Sequence, residues 1–523
     1  MNIAMADDNF LNITRGQNHV NAYSIVVIAF IALSSAAYGY TAANIATTLT
    51  QPSFQEDMGL VNNPNASAIT GTINGIYQAG AVFGAFLAGW MSDRFGRKLT
   101  AATGNAIILV SGALLTGSVN PAMFIVFRFF NGLGSFLIQN SVPVWIAELA
   151  PPGIRGAVSD AHALLMLFGY CIASFVGLGF YFVPGDNQWR GIVGIQMVLP
   201  TIILSGIYWM PESPRYLLSR DRTEEAWKIV TQLHADKNDP ESHEFATREF
   251  YQMRKQIELD IRFRTSYWGI FTNSSLCKRA LMTIFLEFSI YSCGVLVILN
   301  YGSVVWASLG FDTVQILGFQ VGFQSIGLVT NALSMLWVDR VPRHWFISFG
   351  LGTCAVLMAI EAALQSFYLG STNRGGLIAS ATIIMLFQAT FCAFLDGPTY
   401  FYITEIWPSY ARSQGLAIAM CTFALTNLIW LEAAPYAFEA IGWKFYTIFV
   451  VVPAIAAVII IFTYHDTRHK PLEEIAALFG DANQVAVYQQ ELDNKGITME
   501  DMKIESRKKT ARVQEVENVA EQA

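Results

Sequence analysis

The sequence predicts an all-α membrane protein: twelve transmembrane helices in two six-helix bundles, with a helical cytoplasmic loop between them. Three observations carry this. Twelve apolar runs each approach the roughly 20 residues needed to cross a bilayer; they begin near Ala22, Ala68, Leu99, Ala122, Val158, Gly191, Arg279, Val314, Trp345, Leu377, Leu416 and Trp443. Arginine and lysine alternate sides from run to run. Arg94, Arg97, Arg155, Arg340, Arg343 and Arg412 fall on one face and mainly Arg190, Arg374 and Lys444 on the other, which makes the first face cytoplasmic. Finally, two charged motifs return in the same order about 250 residues later: Asp93-Arg94-Phe95-Gly96-Arg97-Lys98 as Asp339-Arg340-Val341-Pro342-Arg343-His344, and Glu148 to Arg155 as Glu405 to Arg412.

Taken in order, residues 1–21 form a polar cytoplasmic segment with Asp7 and Asp8. It lacks a basic stretch running at once into a short apolar core, so no cleaved signal peptide is expected and the first helix directs insertion. Residues 22–210 supply the first bundle. Within it, the turn from Gly89 to Lys98 is a tight basic hairpin in which Gly96 takes a backbone conformation that side chains resist. Of three Asn-x-Ser/Thr sequons, at Asn12, Asn65 and Asn273, only Asn65 falls in an outward loop, so it is the expected glycosylation site. Residues 211–278 are the long polar interruption, a helical linker in which Asp221 or Thr223 can cap one helix and Ser242 a second. Residues 279–466 form the second bundle. The charged tail over 467–523 holds too little apolar surface for a core and is expected to be disordered.

Composition excludes several classes. The chain is 53% hydrophobic and 14% charged, and its net charge of −7 gathers in the linker and the two ends, so it points to no nucleic-acid partner. Cys171, Cys277, Cys293, Cys354, Cys392 and Cys421 are scattered singly and offer neither a disulfide framework nor metal spacing. No cofactor, metal or catalytic constellation is expected. The expected partners are a small-molecule substrate and membrane lipid, with the chain monomeric.

The pattern Gly-x-x-x-Asp-Arg-x-Gly-Arg-Lys over residues 89–98 resembles the loop signature of the major facilitator superfamily. Arg128-x3-Gly132-x-Gly134, Pro143 to Glu148 with Arg155-Gly156, Trp189-Arg190, Pro211-Glu212-Ser213-Pro214-Arg215-Tyr216-Leu217 and Asp466-Thr467-Arg468 with Leu472-Glu473-Glu474 together resemble its sugar porter family, in the fungal branch. The resemblance covers roughly residues 22–479. It implies a twelve-helix carrier whose bundles rock about a site near the membrane midplane. The repeated charges Asp93, Arg94, Arg97, Glu148, Arg155, Asp339, Arg340, Arg343, Glu405 and Arg412 are then expected to latch the two bundles at the cytoplasmic face.

Three departures from that family bear on the substrate. Where hexose carriers present two glutamines and an asparagine on the seventh helix, this chain has Ile290, Tyr291 and Leu296; Ala163 replaces a fifth-helix glutamine and Asp396 a tenth-helix tryptophan. The remaining candidates for substrate contact are His162, Tyr291, Asn300, Tyr301, Gln320, Gln324, Asn331, Asp396, Tyr400 and Asn427. A larger hydroxylated molecule is expected rather than a simple hexose.

A fourth departure, on the first helix, bears on energy coupling. Proton-driven members resemble one another in a Gly-Tyr-Asp sequence on the first helix, whose carboxylate pairs with the fourth-helix arginine. Here it reads Gly39-Tyr40-Thr41, which leaves Arg128 without that partner and favours facilitated diffusion, since threonine does not titrate near neutrality. Glu287 and Asp396 are the alternative proton carriers, because ionisable groups inside a membrane are costly and are functional candidates by default. Glu361 and Glu432 are expected nearer the helix ends and hydrated. Import and export are both open. The rival of a different class is a nutrient sensor built on the carrier fold, which would call for a long signalling tail. Localisation in the plasma membrane with both termini cytoplasmic is expected.

Overall fold

The computed structural model describes residues 21–150, 155–185, 187–234, 266–334, 340–369, 371 and 373–467, with isolated positions between 246 and 257 and at 478–479. Twelve membrane-length helical segments run through these residues: α1 Ala22–Thr48, α2 Ala66–Phe95, α3 Arg97–Thr116, α4 Pro121–Leu149, α5 Arg155–Tyr181, α6 Asn187–Trp209, α7 Ser274–Ser308, α8 Thr313–Ser334, α9 Arg343–Tyr368, α10 Arg374–Ile406, α11 Arg412–Ile441 and α12 Tyr446–Thr463. Several start two to five residues before the apolar run does, because a first turn carrying Arg or Ser is already outside the hydrocarbon. Ser242, Asp339, the Leu472-to-Ile475 stretch and the side chain of Arg155 lie outside what is described.

Three spans are broken rather than continuous. α6 is interrupted between Ile195 and Val198, and α7 stops at Tyr291 and resumes at Val295 after a left-handed Gly294. In α10 the ladder widens to a π turn over Cys392–Asp396 just before Pro398, whose ring cannot take part in the α-helical ladder. Irregular backbone at membrane depth is tolerated only where protein or a cavity satisfies it. The breaks in α7 and α10 therefore mark where a cavity belongs.

Helices α1–α6 and α7–α12 form two bundles that meet through α2 with α11, α5 with α8, and α1 with the second half of α7. At the end opposite the Arg-rich turns the two halves touch where Ser67 Oγ donates to Glu439 Oε2 at 3.0 Å; within the second half, Tyr301 Oη of α7 donates to the Leu431 carbonyl of α11 at 2.9 Å. Within the first bundle α2 crosses α4 so closely that a Cβ on Gly132 would strike the carbonyl of Tyr77. Small residues at crossings substitute for the hydrophobic drive that lipid cannot give.

The linker opens with a short helix, Pro214–Ser219, capped by Ser213, and continues as Thr223–His234, which begins two residues after Asp221. His234 seats it: Nδ1 lies 2.6 Å from Glu249 Oε2 and Nε2 3.0 Å from the Leu149 carbonyl at the end of α4. Ser24 at the start of α1 adds a bond to the Leu233 carbonyl at 2.8 Å.

Candidate functional site

The broken helices open onto a central cavity of about 40 Å³ between the bundles, scarcely more than one water's share of liquid volume. Its polar wall comes from both halves: Tyr38, Gln139 and Tyr170 from the first, Tyr291, Gln324, Gln388, Asp396 and Tyr400 from the second. One bond crosses it, Gln139 Nε2 to Tyr400 Oη at 2.8 Å. The Gln139 and Gln388 carbonyl oxygens and both amide atoms of Gln324 are buried without a partner among the described residues. Each such group costs roughly 1–3 kcal/mol, so three amides in this condition around one cavity suit a ligand with several hydroxyls. The amides missing from α7 thus reappear on α4, α8 and α10. Gln139 and Gln388 escaped the sequence reading; each is a glutamine deep in an apolar run, a signal they share with Gln320, which bonds the Leu299 carbonyl instead.

Of the other sequence candidates, Tyr291, Gln324, Asp396 and Tyr400 line this cavity and the rest do not. Asn331 stands behind Asp396, donating to Oδ2 at 3.2 Å. Asn427 and Gln320 give their amides to the carbonyls of Phe423 and Leu299, and Tyr301 gives its hydroxyl to the Leu431 carbonyl of α11 in its own bundle. His162 is buried 2.6 Å from Ser35 Oγ through Nδ1. These groups satisfy their own or a neighbouring helix, the ordinary use of polar side chains in a bundle. Glu287 is 2% exposed, with Oε2 unpartnered among the described residues, and lies within electrostatic reach of Asp396. Glu361 corrects the expectation of hydration: it is 0% exposed and accepts from Ser380 Oγ at 2.5 Å and Gln365 Nε2 at 2.8 Å, because α10 and α12 cover that turn of α9.

A second, smaller space of about 20 Å³ adjoins the first, sharing Tyr38, Tyr170 and Phe423 as walls. Arg128 enters it from α4, about 10 Å along the helix from the end that carries Pro121. Its guanidinium lies over the Tyr77 ring, 4.4 Å from the centroid. Asn74, Gln78 and Asn300 complete the polar wall, and no carboxylate stands in it. Thr41 turns its hydroxyl back to the Ala37 carbonyl at 2.8 Å. A desolvated cation over an aromatic face gains about 2 kcal/mol, against a desolvation cost of several kcal/mol.

At the basic end the charges form two matching cages. In the first half Arg97 meets Glu148 through Nε at 3.0 Å and Nη2 at 3.1 Å, Ser213 Oγ donates to Glu148, and the Arg97 amide donates to Glu212 at 3.1 Å. In the second half Arg343 meets Glu405 at 3.4 Å, Thr467 Oγ1 donates to Glu405 at 2.5 Å, and the Arg343 amide donates to Asp466 at 3.3 Å. Glu212-Ser213 and Asp466-Thr467 are therefore a third pair of repeated elements, which the sequence showed only as separate signatures. The Arg97–Glu148 and Arg343–Glu405 pairs each lie inside one half, since the turn before α3 or α9 faces the end of α4 or α10 in its own bundle. Arg94 lies over the rings of Trp90 and Phe95, Arg412 bonds the Trp407 carbonyl at 3.4 Å, and Arg340 is exposed.

Gly96 belongs to this cage by necessity. Its φ is +95°, and a side chain there would collide with the Glu212 carboxylate. Burial pushes the Glu212 carboxyl up from its usual range, opposed by the amides of Ser213, Lys98 and Arg97 and by the Arg97 charge. An acid raised by folding adds stability only below its unfolded range and loses that contribution as pH rises through the folded value. At neutral pH Glu212→Gln should therefore leave the melting temperature near wild type, since the amide oxygen still accepts, whereas Glu148→Gln lowers it. Differential scanning fluorimetry of the two variants checks this, and a larger loss for Glu212→Gln would contradict it.

Comparison with known proteins agrees with this architecture. The family model described as sugar (and other) transporter matches residues 27–479. The chain is 29% identical over 450 residues to an MFS-type transporter, criB, of Aspergillus cristatus, covering 86% of this chain and 92% of that one. It is 25% identical to a high-affinity glucose transporter of Kluyveromyces lactis (88% and 86% covered) and 26% identical to a probable quinate permease of Neosartorya fischeri (87% and 88%). In fold it is similar to the xylose transporter XylE from E. coli in a partially occluded inward-open conformation, with a TM-score of 0.72 at 20% identity over 86% of this chain and 100% of that one. The chain belongs to the sugar (and other) transporter family, and is a membrane carrier for sugars or related small molecules.

Proposed function

We propose that the chain moves a polyhydroxylated molecule by alternating access and facilitated diffusion, with residues 22–210 and 279–466 as the two rocking bodies. It works as a monomer in the plasma membrane, both termini are cytoplasmic, and Asn65, exposed at the start of α2, carries glycan. The observation that supports this most is the central cavity: its walls come from both bundles, it is smaller than any sugar, and the far end above it is shut by the Ser67–Glu439 bond. A ligand reaches the unpartnered amides only when the bundles part. Facilitated diffusion follows from Thr41, which offers no carboxylate beside Arg128.

A second mode, proton coupling, is favoured by Asp396 at the cavity wall with the buried Glu287 within its electrostatic reach. The relatives' names span a hexose and a hydroxylated acid, so the substrate is tested directly. A labelled-uptake panel of sugars, polyols and aromatic acids in a transporter-deficient cell decides it. Millimolar glucose is expected to compete poorly with the true substrate, because α7 lacks its amides; glucose uptake with sub-millimolar affinity would overturn that. Binding without uptake by any member of the panel would favour a nutrient sensor instead.

A further inference from the structure

We infer that Arg128 is the docking point for a carboxylate carried by the substrate, so that the transported class is hydroxylated organic acids rather than neutral sugars. This rests on the carrier function and deepens it. A guanidinium keeps its charge at any physiological pH, and here it is 2% exposed with no acidic side chain in its cavity and no hydrogen bond among the described residues. A buried cation held without an anion is a standing cost that a ligand can relieve.

The surroundings are those of an anion site awaiting its occupant. Nε of Arg128 is buried without a partner, and so are both amide atoms of Asn74 and the Gln78 carbonyl oxygen. The Asn74 amide and the guanidinium supply donors that match two carboxylate oxygens, a geometry arginine suits through its fork. The adjoining central cavity then takes the body of the molecule, its hydroxyls on Gln139, Gln324 and Gln388 and its ring or chain against Tyr38, Tyr170 and Phe423. Asp396 belongs to the central cavity and is absent from the wall around Arg128, so a substrate carboxylate is drawn to the Arg128 end and repelled from the other. The binding site is polarised.

The test uses the full chain purified in nanodiscs and three pairs of probes that differ chiefly in the carboxylate: D-glucuronate with D-glucose, D-gluconate with sorbitol, and 3,4-dihydroxybenzoate with catechol. At least one acid should raise the wild-type melting temperature and be taken up at a rate tenfold or more above its neutral partner. Arg128→Gln, which removes an unpaired buried charge, should melt at or above the unliganded wild type and lose the acid-induced shift; Arg128→Lys should keep part of it. Thr41→Asp, which supplies an internal anion on the neighbouring helix, should weaken acid binding tenfold or more. Preferred uptake of a neutral probe would overturn the carboxylate inference and leave the carrier function standing. A shift produced equally by chloride alone, an unchanged acid response in Arg128→Gln, or no acid response in wild type would also overturn it. Absence of uptake for all six probes and the wider sugar panel would count against the carrier function as well.

Discussion

Glu148→Gln will slow transport about tenfold or more at unchanged membrane expression, and Glu405→Gln will do the same from the other half. Each acid is the hub of its cage: Glu148 takes Arg97 and Ser213 together, and Glu405 takes Arg343 and Thr467. The first pair is the tighter one, with side chains only 14% and 12% exposed, so its charge-assisted bonds are poorly screened. An amide in place of the carboxylate keeps one acceptor and loses the charge, which for a partly buried pair costs roughly 3 kcal/mol of the arrangement that holds the cage. A tenfold change in the rate of exchange between access states needs only about 1.4 kcal/mol of that. Because each cage binds the ends of α3 and α4, or α9 and α10, to the segment that follows its own bundle, the variants loosen the body that the cage holds. Arg155→Ala and Arg412→Ala are expected to slow exchange as well. Uptake rates normalised to surface expression provide the measurement, and wild-type rates in Glu148→Gln and Glu405→Gln would remove the cages from the transport cycle.

The fold was legible because a bilayer leaves few choices: twelve apolar runs, alternating basic turns and a doubled Asp-Arg/Arg motif admit little besides two related bundles. The site was legible only in part. Tyr291, Gln324, Asp396 and Tyr400 reach the cavity, but Asn427 and Gln320, equally polar in the sequence, bond to backbone carbonyls, and nothing in a helical run tells which face looks inward when both neighbours are apolar. Hydrophobic periodicity, the usual guide, fades in a membrane span because lipid-facing and core-facing residues are alike. The break at Gly294 and the π turn at Cys392–Asp396 were hidden for a different reason. They depend on tertiary contacts that satisfy the freed backbone, and those contacts are not local in sequence. The third repeated element was missed because Glu212-Ser213 and Asp466-Thr467 share chemistry but not residues, and only the cages they complete reveal the likeness.

With the proton gradient collapsed, transport should persist, and a non-metabolised substrate should equilibrate to an inside-to-outside ratio near one rather than accumulate. This is the expected behaviour of a carrier whose first helix has Thr41 at the place where proton-driven relatives resemble one another in a carboxylate; the Thr41 hydroxyl is committed to the Ala37 carbonyl and cannot exchange a proton near neutrality. Asp396 and Glu287 set the opposing case. Glu287 is buried, Asp396 is half-buried and lines the cavity beside Tyr400 on a π turn, and Asn331 donates to its Oδ2. If either carried the driving proton, accumulation would exceed one by a wide margin and vanish with a protonophore, and Asp396→Asn or Glu287→Gln would abolish accumulation while sparing exchange of substrate across the membrane. Under facilitated diffusion the same substitutions act only through the binding site. Asp396→Asn keeps an oxygen to accept from Asn331 and should alter the substrate KM severalfold, leaving the equilibrium ratio at one. An accumulation ratio well above one in the wild type, lost in Asp396→Asn, would overturn facilitated diffusion and make Asp396 the coupling residue; a ratio of one in both leaves Thr41 as the reason.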